Sequence, residues 1–162
     1  MHPSVTNVII AGLGGQGVIK ASDILSDAVF RAGFDLKKSE IHGMSQRGGS
    51  VTSEVRFGEI VLSPMVPPGE ADYLVVLAAD QIEVVRGNLR PGGKLIVPAQ
   101  VDEAALPNRK SHNVALLGAL SRHLQIDECF WLEAIRASLP PRLHEVNLQA
   151  FDIGRRSANG AT

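Results

Sequence analysis

Two segments of this 162-residue chain carry residue types whose spacing could do chemistry. The first is Gly12-Leu13-Gly14-Gly15-Gln16-Gly17, which follows the apolar run of residues 7–11 and opens a helical pattern. In that setting Gly12-x-Gly14-x-x-Gly17 suits a phosphate-cradling turn. One glycine allows the tight turn, the second lets backbone approach a phosphate closely, and the third packs strand against helix. The free N–H groups and dipole at the helix start then favour an anion. The same glycines could also pack strand on helix without any ligand, and the spacing alone leaves both readings open. A nicotinamide dinucleotide would need an acid near the end of the second strand, where Asp35 and Glu40 stand; Lys37 and Lys38 would instead favour an additional phosphate.

The second segment, Glu40 to Ser50, gathers an acid, an imidazole, an amide, a guanidinium, hydroxyls and several glycines without helix or strand period. It reads as an ordered binding loop. Gly48-Gly49-Ser50 can present successive N–H groups as an anion nest, and Arg47 adds a fork suited to phosphate or carboxylate. Ser45, Ser50 and His42 show no spacing of a nucleophile, base and orienting group, so a lone loop histidine is expected to hydrogen-bond rather than catalyse. His2, His42, His112, His123 and His144 show no metal-ligand spacing with Asp, Glu or Cys. Cys129, beside Phe130-Trp131 on an apolar helix, is expected in the core. As the single cysteine it can form no internal disulfide and cannot supply the four thiolates of an iron–sulfur cluster.

The elements that must position these residues follow from periodicity. Residues 7–11 form a buried strand, and the stripe Val18, Ala21, Ile24, Leu25, Ala28 and Val29 predicts a helix over 18–32, stopped by Gly33. Residues 34–38 make a second strand. The alternation of Val51, Ser53, Val55 and Phe57 predicts another, joined through Gly58-Glu59 to Ile60-Val61-Leu62 as a hairpin. Further strands are expected over 72–78 and 94–97, the latter after the turn Pro91-Gly92-Gly93, with a short helix over 80–88 between them. Helices are expected over 113–124 and 127–139, with Asn113 and Asp127 as N-caps, and from Pro140-Pro141 to about Arg155. Asn113 and Asn147 could equally act as tethers to backbone. The pattern is a Rossmann-like three-layer α/β fold, mostly parallel with one β-hairpin and C-terminal helices, in a single domain over 1–162.

Sixteen Lys and Arg against seventeen Asp and Glu leave a net charge of −1, which favours neither nucleic acid nor an anionic membrane. The short basic pairs Lys37-Lys38 and Arg155-Arg156 are expected as solvated element ends. The first residues lack the charged start and apolar run of a signal peptide, and no apolar stretch approaches the ~18 residues of a membrane span. The expected location is the cytoplasm.

Both segments also carry a resemblance. Gly12-Leu13-Gly14-Gly15-Gln16-Gly17-Val18 and Ser39-Glu40-Ile41-His42-Gly43-Met44-Ser45-Gln46-Arg47-Gly48-Gly49-Ser50-Val51, continued by Ser53-Glu54-Val55-Arg56-Phe57-Gly58, resemble the gamma-type domain of the 2-oxoacid:ferredoxin oxidoreductases. Within that family the wording is most similar to the small subunits that serve indolepyruvate. Ser63-Pro64, Ala71-Asp72, the run Asn113 to Leu120 and the run Asn147 to Phe151 extend the resemblance along the chain, while the polar stretch between Ala99 and Asn113 matches no family element. The resemblance implies a subunit of an enzyme of amino-acid catabolism. That enzyme oxidatively decarboxylates an aryl 2-oxoacid to acyl-CoA and CO2 and reduces ferredoxin. Thiamine diphosphate, Mg²⁺ and [4Fe-4S] clusters would lie on a large partner subunit, and the isolated chain would be inactive. Gly12, Gly14, Gly15, Gln16, Gly17, His42, Ser45, Gln46, Arg47, Gly48, Gly49 and Ser50 would lie on the coenzyme A side or at the subunit interface. The competing reading is a free-standing NAD(P)-binding protein.

Overall fold

The computed structural model describes residues 4–43 and 48–157. Five strands, β1 (Val5–Leu13), β2 (Asp35–His42), β3 (Ser50–Gly58), β4 (Ala71–Val76) and β5 (Leu89–Ile96), form one sheet in the order β2-β3-β1-β4-β5. β1 pairs parallel with β4 and β4 with β5, whereas β3 is antiparallel to both β1 and β2. Four strands therefore share one direction and β3 alone is reversed. The helices are α1 (Val18–Arg31), the single turn α2 (Ile82–Val85) flanked by 3-10 turns, α3 (His112–Ser121), α4 (Glu128–Ser138) and α5 (His144–Ser157).

The expected hairpin exists with different partners. β3 pairs with β2, and its other side is filled by β1 from Val5↔Gly58 to Leu13↔Ser50. No edge beside β3 is left for Ile60-Val61-Leu62. Instead the Val61 N–H donates to the Asp35 carboxylate at 2.8 Å, Val61 is buried and Leu62 is exposed. The same pairing draws Glu40, Ile41 and His42 into β2 and Ser50 into β3, so the second glycine segment is a hairpin connection with strand at both ends. The Pro91-Gly92-Gly93 turn lies inside β5, where Ala71 pairs with Leu89 and Tyr73 next with Lys94, leaving residues 90–93 bulged.

The two faces of the sheet are covered unequally. Val8, Ile10, Val55, Val75 and Ile96 face the main core with Ile24, Leu25, Leu116, Leu117, Trp131, Ile135 and Phe151 from the helices. Ile9, Ala11, Leu74 and Val76 face a smaller cluster with Val66 and Val85. Every residue of α3 is buried, because it lies between the sheet and α5. Its backbone approaches α5 closely at Gly154, where a Cβ would collide with the Ala115 carbonyl. Cys129 is exposed, correcting its expected place in the core. The inward stripe of α4 is Trp131, Ala134 and Ile135, and a residue two before Trp131 falls about 200° away around the helix. Among the described residues no helix is long and apolar enough to cross a membrane.

Candidate functional site: the glycine turn and its cationic cleft

The β1–α1 turn is held from inside by its own glutamine. Gln16 Oε1 accepts from the Leu13 N–H at 2.7 Å, and Gln16 Nε2 donates to the Leu77 carbonyl at 3.5 Å, which ties the turn to the end of β4. Gly12 allows this clamp, since a Cβ there would lie 2.9 Å from Gln16 Oε1 and 3.0 Å from Leu77 Cβ. Gln16 is therefore a fastener of the turn. Gly15 and Gly17 adopt the left-handed conformation, with φ of 88° and 80°. Gly17 is the N-cap of α1 and brings no side chain to its free N–H groups. The Gly17 carbonyl accepts from the Ala21 N–H at 2.9 Å and from Asn113 Nδ2 at 3.1 Å. Asn113 thus lies within α3, whose N-cap is Ser111, and of its two expected roles takes that of a tether to backbone, joining α3 to the turn.

The two glycine segments meet. The Gly14 N–H donates to the Gly49 carbonyl at 2.9 Å, and a Cβ on Gly14 would approach the Gly48 nitrogen to 3.4 Å. Across the hairpin connection the Gly43 N–H donates to the Ser50 carbonyl at 2.7 Å. His42 is exposed on β2 with Nε2 4.0 Å from the Glu40 carboxylate. Ser45, Gln46 and Arg47 lie outside the described residues.

The turn separates two grooves. On the β3 side a shallow groove of about 340 Å³ runs along Gly14, Ile19, Lys20 and Val51. On the β4 side a cleft of about 470 Å³ has Gly15, Gln16, Gly17 and Leu77 on one wall. Its other wall comes from the stretch that matched no family element, through Glu103, Arg109, Lys110 and His112, and ends at Asn113. Short 3-10 turns shape this wall. Asp102 Oδ1 accepts from the Ala104 N–H and Asn108 Oδ1 from the Lys110 N–H, both at 2.9 Å. Glu103 joins the wall together, 3.1 Å from Arg109 Nε and 3.6 Å from His112 Nδ1. His112 is buried, and its Nε2 lies 3.1 Å from the Pro98 carbonyl and 3.2 Å from the Val101 carbonyl. Two acceptors require that this nitrogen carry the proton. Arg109 and Lys110 stay exposed at the rim. The cleft opens at the carboxyl ends of the parallel strands, where open α/β sheets bind ligands.

Sequence reasoning missed this wall, and its sole trace is the basic pair Arg109-Lys110 after an Asx-capping Asn108. The acid expected for a nicotinamide ribose is misplaced. Asp35 aligns through Gly58 with Val5, at the opposite end of β1 from the turn. Glu40 lies 2.9 Å from the Lys38 ammonium, and β3 stands between β2 and β1.

The model of the family described as pyruvate ferredoxin/flavodoxin oxidoreductase matches residues 7–157. Indolepyruvate oxidoreductase subunit IorB of Methanothermobacter thermautotrophicus is 48% identical over 91% of this chain and 95% of its own length. Its namesake in Thermococcus kodakarensis is 36% identical over 94% of this chain and 95% of its own. Among solved structures, the gamma subunit of a keto/oxoacid ferredoxin oxidoreductase from Geobacter sulfurreducens superposes with a TM-score of 0.79 at 21% identity, covering 98% of each chain. The 2-oxoglutarate:ferredoxin oxidoreductase of Magnetococcus marinus, solved with 2-oxoglutarate, coenzyme A and succinyl-CoA, reaches 0.82 at 22% identity. It aligns with 99% of this chain over 32% of its own. A fastened glycine turn, a matching fold and relatives alike along nearly their whole length agree: the chain belongs to the pyruvate ferredoxin/flavodoxin oxidoreductase family.

Proposed function

We propose that this chain is the small subunit of a thiamine-dependent oxidoreductase acting on aryl 2-oxoacids such as indolepyruvate, and that its glycine-turn cleft takes the phosphates of coenzyme A. In that reaction the 2-oxoacid loses CO2, two electrons pass to ferredoxin, and the acyl group moves to the coenzyme A thiol. The observation that carries the reading is the pairing across one cleft of the glycine turn Gly15-Gln16-Gly17, which leads into the uncapped start of α1, with Arg109 and Lys110. Backbone N–H groups and two cations suit a multiply charged phosphate ligand. The names of the relatives, and the coenzyme A in the Magnetococcus marinus structure, point to the same chemistry.

The residues of this chain bind and orient. Gly15 and Gly17 let the backbone approach the ligand, Asn113 fixes the turn against α3, and Arg109 and Lys110 neutralise phosphate charge. They do not suit the redox groups. Cys129 alone cannot ligate a cluster, and among the described residues no three His, Cys, Asp or Glu gather as a metal site. In this reading thiamine diphosphate, Mg²⁺ and the [4Fe-4S] clusters are assigned to a large cytoplasmic partner subunit, which would supply decarboxylation and electron transfer.

The test is steady-state kinetics on the complex made by co-expression with that subunit. Arg109→Ala with Lys110→Ala is expected to raise KM for coenzyme A about tenfold, the equivalent of ~1.4 kcal/mol, and to leave KM for indolepyruvate unchanged. An unchanged KM for coenzyme A removes the phosphate role, and a loss of assembly with normal coenzyme A dependence would make the cleft a protein contact. Turnover of indolepyruvate by the isolated chain removes the subunit reading itself.

A further inference from the structure

The two outer strands of the sheet are finished differently. β5 bulges out of its ladder at residues 90–93, and Pro91 has no N–H to offer, so that edge is guarded against further pairing. β2 keeps an unbroken register with β3 from Asp35↔Gly58 to His42↔Val51 and contains no proline. Among the described residues no strand lies beyond it. The bond from the Gly43 N–H to the Ser50 carbonyl continues this ladder by one position. Antiparallel alternation then turns the odd-numbered residues of β2 toward β3 and leaves the N–H and C=O groups of Leu36, Lys38, Glu40 and His42 facing outward.

We propose that β2 pairs antiparallel with β2 of a second copy of this chain, about a twofold axis at Ser39, joining the two sheets into one. A twofold axis normal to a sheet pairs each residue with one equally far on the other side of the axis. Centred on Ser39, Lys38 faces the second copy's Glu40, Leu36 faces its His42 and Lys37 its Ile41, and the outward backbone groups oppose each other. Moving the axis by one residue sets Lys38 against Lys38 or Glu40 against Glu40, so charge selects the register. Lysine normally guards an edge, but here the Lys38 ammonium is matched by Asp23 at 2.5 Å and Glu40 at 2.9 Å within its own chain. On the face away from α1, Ser39 Oγ donates to the Pro64 carbonyl at 3.4 Å and seats the following segment over β2. Ile41, Met65 and Leu62 are exposed there by 50%, 61% and 89%, an apolar border for the second copy to cover.

The test uses the full chain with its exposed Cys129 replaced by serine. Sedimentation equilibrium at micromolar to submillimolar concentration is expected to give a dimer. Ser39→Cys should oxidise to a covalent dimer, because the central non-hydrogen-bonded pair brings Cα atoms about 4.5 Å apart, within disulfide reach. Lys37→Cys and Ile41→Cys should each stay unlinked alone and link to one another when mixed. A chain that stays monomeric overturns the proposal, including one whose β2 gains hydrogen-exchange protection only on adding a large subunit. So does a dimer in which Ser39→Cys fails to link. None of these outcomes depends on whether the cleft takes coenzyme A.

Discussion

The two ends of the sheet carry cavities of nearly equal size, about 470 Å³ at the carboxyl ends of the parallel strands and about 450 Å³ at the amino ends. Their linings differ in kind. The carboxyl end presents left-handed glycines, an uncapped helix start and the basic pair Arg109-Lys110. The amino end sets ring pairs beside Ser4, Thr6, Glu59 and Gln125. Phe34 meets Phe57 edge-to-face at 5.6 Å, Tyr73 stacks on His123 at 6.1 Å, and the Tyr73 hydroxyl donates to the His123 carbonyl at 3.1 Å. At one end left-handed glycines shape the turn without a Cβ penalty and α1 starts without a side-chain cap, while at the other two ring pairs and the Tyr73 bond draw the lining together. Volume does not separate the two ends, whereas the uncapped helix start and the basic pair stand only at the carboxyl one.

The largest way to break the contrast is at Gly17. Alanine there must hold a left-handed φ and push its Cβ into the Asn113 amide, losing the tether to α3. About 2–3 kcal/mol of destabilisation is expected, a fall in Tm of roughly 5–10 °C by calorimetry. Adding Asn113→Ala should remove the clash and leave the strain, so the double variant is expected to be more stable than the sum of the single losses implies. At the ring-lined end, Tyr73→Phe removes one exposed hydrogen bond to a carbonyl. A loss of about 0.5 kcal/mol in chemical denaturation is expected, with KM for coenzyme A in the assembled complex unchanged. A shift in that KM would show that the amino end also serves the ligand.

The carboxyl end was half legible in the sequence. The strand, the glycine spacing and the α1 stripe are local patterns, and β1, the turn and α1 stand where those patterns put them. The cleft's second wall was not legible, because 3-10 turns have no hydrophobic period and because Asn113 reaches Gly17 across 96 residues. The alternation of Val51 to Phe57 marked a strand but could not name its partners. Its partners in β1 lie 39 to 51 residues away, from Gly12↔Val51 to Thr6↔Phe57, while the nearby apolar run at Ile60 offered a false one. Cys129 was misplaced by its neighbours. Proximity to Trp131 in sequence is remoteness around a helix at two-residue spacing.

The finest contrast is in the histidines at the two ends. His112 donates its Nε2–H to the Pro98 and Val101 carbonyls within the cleft wall. At the other end, burial holds the His123 imidazole below its ordinary value, and Lys94 and Arg122 push it further down. The folded state thus takes up this proton less readily than the unfolded chain, whose histidine titrates near ~6.5. Between the two values the unfolded state binds more protons, so stability rises with pH there and is complete above the unfolded value. Lowering the pH through that interval should therefore depress Tm, and His123→Gln should flatten the slope while leaving the Tyr73 bond to the backbone carbonyl in place. The change is expected to be smaller than that of Tyr73→Phe, since His123 is largely exposed. A slope identical in the two proteins would mean that His123 is as easily protonated folded as unfolded, and that the amino end is less tightly closed than its ring contacts imply.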